Sequence, residues 1–191
     1  MNEFISSLVS INLNDNITSI GADAFNNCTS LTTFTMPNKL ISIGVNAFAN
    51  CVGFTNVNLP DTVTTIGASA FANCANVTSI TISKNIISIG LNAFSDCVNI
   101  ENAILPSNAI NSIPKSKLIT VEINKGTSIP NTAFQNCVNL ASISLPNELE
   151  SIGISAFLGC SSMTEIIIPK SVTGIGNDAF KNCTSLQTVY I

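Results

Sequence analysis

Histidine, tryptophan and arginine are all absent from the 191-residue chain, and tyrosine occurs once. Each absence closes off a class of function. Without histidine, a serine or cysteine nucleophile lacks its usual base, and the commonest metal ligand is missing. Without arginine, seven lysines stand against 11 acidic residues, for a net charge of −4. Phosphate backbones are gripped by dense basic surfaces, so nucleic-acid binding is excluded. Charged residues are scarce at 9%, whereas hydrophobic residues reach 46%. That balance favours a packed core over disorder, and the length suffices for one domain with a substantial core. No apolar run approaches the roughly 20 residues of a membrane-spanning helix, so membrane insertion is not expected. The opening, Met1-Asn2-Glu3-Phe4-Ile5, lacks the basic start and long apolar stretch of a secretory signal.

What the chain has is repetition. Cysteines lie at 28, 51, 74, 97, 137, 160 and 183, so successive differences are 23, 23, 23, 40, 23 and 23. Each closes the phrase Ala-Phe-x-x-Cys, which places Phe25, Phe48, Phe71, Phe94, Phe134, Phe157 and Phe180 in one ladder. Each is followed three residues later by an apolar residue, as at Leu31, Phe54 and Leu140, and then by an alternating segment such as Phe34-Thr35-Met36. Alternation marks a strand, and the proline that usually follows stops its ladder. A second β-branched segment, such as Val63-Thr64-Thr65-Ile66, reads as another brief strand. An Ile-Gly pair then permits a tight turn, and Ala-Phe-x-x-Cys reads as one helical turn with Phe and Cys on one side. No such coil buries its apolar face alone, so the coils stack. The expected fold is a repeat solenoid of leucine-rich-repeat type with a parallel sheet along one face. Short helical turns and brief strands occupy the convex side. Nine strands begin at residues 8, 31, 54, 77, 100, 118, 140, 163 and 186 of a single domain spanning 1–191.

The cysteines occupy the same buried slot beside the phenylalanines. Cys28, Cys51, Cys74, Cys97, Cys137, Cys160 and Cys183 are therefore read as core residues. An odd number cannot all pair within one chain, and a spacing of 23 without histidine suits no usual zinc site. Buried thiols survive in either redox setting, so the compartment stays open. Glu148 and Glu150, the nearest carboxylate pair, read as a solvated loop edge. No catalytic, metal or cofactor site is expected. The sequons at Asn16, Asn27, Asn76 and Asn182 matter only on a eukaryotic secretory route.

The outward face of the main strands is the candidate for binding. Outward strand positions are neutral and polar through the first four coils, but Ile104, Ile167 and Tyr190 later break that pattern. With the neighbouring outward residues Asn102, Thr120, Glu122 and Glu165 they form the candidate partner site. The fifth unit is short. Its Gly-x-x-Ala-Phe-x-x-Cys segment is replaced by Pro114-Lys115-Ser116-Lys117, making an irregular repeat around 107–126. Both ladders should break there, leaving a notch. A sharper reading makes that notch a partner site between Ile104, Glu122 and the lysines, Lys125 included. Neither end reads as a polar cap. A fragment or naturally short chain is favoured over an open filament built by head-to-tail stacking.

The phrase carried by Cys51, Phe54, Val57, Leu59, Pro60, Val63, Ile66, Gly67, Ala70 and Phe71 resembles the BspA-like, or treponemal, class of leucine-rich repeat. The resemblance covers nearly the whole chain. It implies a curved solenoid whose parallel sheet lines the concave face, without catalytic residues, so the outward strand positions lie on that concave face. It also implies a surface or secreted protein that adheres to protein or glycan ligands. The lack of a signal in this chain leaves a cytoplasmic location open. The alternative to such a binding scaffold is a structural unit that self-assembles through its uncapped ends.

Overall fold

The computed structural model describes residues 6–191, and the chain forms two compact units. The first comprises residues up to Ile100 with Ser112–Pro114, and the second Glu101–Asn111 with Lys115–Ile191. In chain order the first holds β1 (Ser10–Asn12), β2 (Ser19–Ile20), β3 (Thr33–Thr35), β4 (Ser42–Ile43), β5 (Asn56–Asn58), β6 (Thr65–Ile66), β7 (Ser79–Thr81) and β8 (Ser88–Ile89). The second holds β9 (Asn102–Leu105), β10 (Thr120–Ile123), β11 (Ser128–Ile129), β12 (Ser142–Ser144), β13 (Ser151–Ile152), β14 (Glu165–Ile167), β15 (Gly174–Ile175) and β16 (Thr188–Tyr190). Among the described residues there are thus nine strands of three or four residues and seven of two. Both the main strands and the brief second strands expected from the sequence are present.

Every pairing is parallel and steps from one coil to the next, which makes the fold a parallel-strand β-solenoid. In the first unit β2, β4, β6 and β8 form one ladder, with Ile20, Ile43, Ile66 and Ile89 in register. β1 pairs with β3, and β5 with β7. In the second unit β9, β10 and β12 form one ladder, β14 and β16 another, and β11, β13 and β15 a third. The core lies between the two strand layers of each coil. Inward residues such as Val57, Ile80, Val121 and Ile166 are buried, as are Leu31, Val77 and Leu140 before the strands.

The convex segment is a turn, but not an α-helical one. Its alternate amides point along different directions. Ala47, Ala49 and Cys51 donate within their coil to Gly44, Asn46 and Phe48, while Asn46, Phe48 and Asn50 donate to Ala68, Ala70 and Ala72 of the next coil. This pattern requires two left-handed residues per coil, as at Asn46 (φ 55°) and Asn50 (φ 62°). Asn and Asp tolerate that region better than other residues with a Cβ, which accounts for the Asn-rich phrase around each cysteine. The recurrent Ile-Gly glycine has a different reason from the one its sequence context suggests. At Gly67 φ is not left-handed. A Cβ there would instead lie 2.6 Å from Gly44 C and Val45 N of the preceding coil. Close stacking of backbones, rather than turn geometry, demands glycine.

The phenylalanines stack. In the first unit Phe25, Phe48, Phe71 and Phe94 follow at 5.3, 5.2 and 5.2 Å between ring centroids. In the second, Phe134, Phe157 and Phe180 follow at 5.5 and 5.3 Å. All seven cysteines are free, six of them buried and Cys183 partly exposed. Five of the thiols donate to a phenylalanine carbonyl of the preceding coil: Cys51 to Phe25, Cys74 to Phe48 and Cys97 to Phe71 at 3.2 Å, Cys160 to Phe134 and Cys183 to Phe157 at 3.1 Å. These thiols are therefore partnered polar groups as well as packing groups.

Candidate partner-binding face

All seven candidate residues fall in the second unit, on two separate ladders. On the first, register places Asn102 beside Thr120 and Ser142, and Ile104 beside Glu122 and Ser144. Thr120 Oγ1 donates to Asn102 Oδ1 at 2.5 Å, so these two polar groups satisfy each other. Ile104 is 37% exposed beside the exposed Glu122. On the second ladder Glu165 pairs with Thr188 and Ile167 with Tyr190. Ile167 and Tyr190 are 66% and 52% exposed. Parallel neighbours lie about 4.8 Å apart, so these two make a contiguous apolar step flanked by the polar Glu165 and Thr188.

The shortened coil contains a 3-10 helix, Ser107–Ser112, and has its own means of closure. Leu118 N donates to Lys115 O, as Leu140 N does to Cys137 O. Lys115 therefore stands where a ladder cysteine would stand. In regular coils the alanine carbonyl before each phenylalanine accepts an amide from the coil before it, as Ala70 accepts from Phe48. The missing segment would leave Ala133 O without that donor. Lys115 Nζ supplies it at 2.6 Å and also donates to Asn111 Oδ1 at 2.9 Å. Burial pulls the Lys115 ammonium below its ordinary pKa, partly offset by Cys137. The structure thus brings Ile104 and Glu122 together but commits Lys115 to closing its own coil. Lys117 instead borders a cavity of about 370 Å³ with Glu101, Ile119 and Asn139.

Burial pushes the thiols of Cys51 and Cys160 up to about 12 and that of Cys137 to about 11. Thiolate is the reactive form, so these groups are inert at neutral pH. Among the described residues no cluster of three or more His, Cys, Asp or Glu is placed to hold a metal ion, and no helix is long and apolar enough to cross a membrane.

One feature of this face has no counterpart in the sequence pattern. β12 and β14 are neighbours in successive coils but do not pair. A cleft of about 440 Å³ opens between them, lined by Ser142, Ser144, Asn147, Glu165, Ile167 and Pro169 among others. The strand phrases on either side are ordinary, so sequence carries no signal for the gap.

No curated protein matches the chain. Among solved structures it resembles a leucine rich repeat protein of T. pallidum, at 25% identity and a TM-score of 0.55, covering 83% of this chain and 66% of that one. It also resembles a leucine-rich repeat protein of Eubacterium ventriosum ATCC 27560, at 22% identity and a TM-score of 0.53, covering 95% of this chain and 44% of that one. The chain thus spans less than two thirds of either protein. The model of the BspA type leucine rich repeat region matches six copies over residues 3–117 and 127–191, and the internal gap holds the strand that follows the shortened turn. On that coverage the chain belongs to the BspA-type leucine-rich-repeat family.

Proposed function

We propose that the chain is a non-enzymatic binding scaffold for cell-surface adhesion or recognition, and that it engages protein or glycan ligands through the concave strands of its second unit. The observation that carries this reading is the apolar step of Ile167 and Tyr190 on β14 and β16. Exposed apolar anchors ringed by polar groups are where binding energy concentrates. Here Glu165 and Thr188 supply polar neighbours on the same two strands. Ile166, the inward neighbour of Ile167, is buried in the stacked core and anchors that strand, which lowers the ordering cost of association. A location at the cell surface or in secretion fits this role.

The test is binding of the full chain to immobilised extracellular-matrix proteins, compared with an Ile167→Asp, Tyr190→Asp variant. Binding that falls at least tenfold in the variant supports the reading. Equal binding by both would place the partner surface elsewhere. A second reading, self-assembly end to end, draws on the exposure of Val189 and Ile191 beside Tyr190. Light scattering against concentration separates the two. Oligomers that dissolve on Ile191→Lys favour assembly, whereas a monomer throughout favours the scaffold.

A further inference from the structure

We propose that the open seam between β12 and β14 is a binding site for a neutral oligosaccharide. This inference rests on the reading of the chain as a binding scaffold and names a ligand class and a place for it.

The first observation is unpaired backbone. At the closed seams on either side, Ala141 N donates to Ile119 O and Gln187 N to Thr164 O, both at 2.9 Å, and Ile168 N donates to Tyr190 O at 2.8 Å. The corresponding bonds across the open seam would run from Thr164 N to Ala141 O and from Leu145 N to Ile167 O. Neither occurs among the hydrogen bonds of the described residues. The seam therefore offers two N–H donors and two carbonyl acceptors in alternation, at residues open to solvent in whole or in part. Strand backbone left without partners is a template for binding.

The second observation is size. Cα atoms of β12 and β14 still approach within 8 Å. A strand inserted between them would need about twice the 4.8 Å spacing of a sheet, roughly 9.6 Å. A peptide cannot pair with both edges. A cleft of about 440 Å³ does fall within the roughly 300–1,000 Å³ of small-ligand pockets.

The third observation is chemistry. Glu165 is the only charged residue lining the cleft. It forms no ion pair among the described residues, and its charge disfavours phosphorylated, sulfated or acidic ligands. A single carboxylate falls short of the six to eight oxygens that calcium takes. A sugar hydroxyl both donates and accepts. It matches the alternating backbone groups, the Ser142 and Ser144 hydroxyls, the Asn147 amide and the Glu165 carboxylate. Ile167 and Pro169 supply an apolar patch for the C–H face of a sugar ring.

The first unit repeats the device. β3 and β5 also fail to pair, and a cavity of about 370 Å³ opens between them. It is lined by Thr35, Asn38, Asn56, Asn58 and Pro60, which match Ser144, Asn147, Glu165, Ile167 and Pro169 in register. Asn and Pro recur at the same two places. Without a carboxylate or an exposed isoleucine, this seam is the weaker site.

The experiment is a glycan array of neutral, sialylated and sulfated oligosaccharides probed with the labelled full chain, followed by calorimetric titration of the best neutral binder. Ser144→Tyr fills the seam, Glu165→Gln removes one charged acceptor, and Asn12→Tyr adds the same bulk at a closed seam. Circular dichroism confirms that each variant folds. The expected result is selective binding of neutral glycans. Affinity should be lost in Ser144→Tyr, fall about tenfold in Glu165→Gln and stay unchanged in Asn12→Tyr. Unchanged affinity in both seam variants overturns the site, and no neutral glycan bound by the wild-type chain overturns the ligand class. A chain that binds matrix proteins but no glycan sinks this proposal alone, whereas one that binds neither sinks the scaffold reading as well.

Discussion

Replacing Phe71 by alanine tests the physical basis of the stack. The ring is fully buried, 5.2 Å from Phe48 at 9° and 5.2 Å from Phe94 at 1°. Removing it takes away the transfer free energy of a whole aromatic side chain and leaves a void that backbones tied coil to coil cannot collapse around. Phe→Ala changes in such settings cost about 3–5 kcal/mol, of which the two ring contacts account for about 0.5–1.5 kcal/mol each. Phe180 is the contrasting rung. It is only half-buried and has one described ring neighbour, Phe157 at 5.3 Å. Its truncation should cost about 1–2 kcal/mol, scaled down for partial burial. The assay is equilibrium urea unfolding followed by circular dichroism, with both variants compared with the parent chain. If Phe180→Ala destabilises as much as Phe71→Ala, or if Phe71→Ala costs under about 1 kcal/mol, burial within the ladder is not what holds the coils together.

Three further outcomes follow from geometry. Lys115→Met keeps the length of the side chain but removes both donors from Ala133 O and Asn111 Oδ1. It should cost about 1–3 kcal/mol in the same unfolding assay, and a neutral or stabilising effect would refute the closing role of the ammonium. Burial raises the thiol pKa of Cys51, Cys137 and Cys160 in the folded state to about 12, 11 and 12, against about 8.5 in an unfolded chain. Their stabilising protonation is complete below pH of about 8.5 and is lost as pH rises toward those folded values, so the melting temperature should fall progressively above pH 9. Lys115, with a lowered pKa, acts in the opposite sense but is one group against several. A melting temperature that stays flat from pH 8 to 10.5 would refute this account. Thr132 is a β-branched residue at φ 56°, a region that suits Asn far better, and Thr132→Asn should stabilise by about 0.5–1 kcal/mol in thermal melts unless its Oγ1 bond to Asn131 O offsets the strain.

The repeat was legible because its signals are periodic. The Ala-Phe-x-x-Cys phrase, the Ile-Gly pair and the alternating strands each reflect a constraint imposed by the neighbouring coil, so each recurs at 23 residues. The position of the shortened coil was equally visible, from the missing phenylalanine. The repair was visible only in outline. Lys115-x-x-Leu118 has the spacing of Cys137-x-x-Leu140, which hints that a lysine fills a cysteine slot. The carbonyl it reaches lies in the next coil and depends on three-dimensional register. The left-handed turn residues were misread as part of a helical turn, although Asn, Asp, Ser and Gly at those places were the available signal. The open seams left no trace. Ser142-Ile143-Ser144 and Glu165-Ile166-Ile167 alternate like any paired strands, so alternation alone does not distinguish an open seam from a closed one. The candidate residues Glu165 and Ile167 were singled out for polarity and exposure, not for the cleft they border.

The thiol bonds give the repeat a direction and make it a copyable part. Cys51, Cys74, Cys97, Cys160 and Cys183 each reach back 26 residues to a phenylalanine carbonyl, and a regular coil contains both ends of that rule. Excising residues 51–73 would set Cys74 the same 26 residues beyond Phe25 and restore the bond, along with the register of every ladder. Duplicating that stretch would do the same. Whole coils of 23 residues can therefore enter or leave the chain with the thiol bond and the ladder register kept, so the length of such an array is free to vary in evolution. The shortened coil is the exception. Its closure depends on one lysine reaching one carbonyl, so it cannot be multiplied by the same rule. Among interchangeable coils it is a fixed landmark.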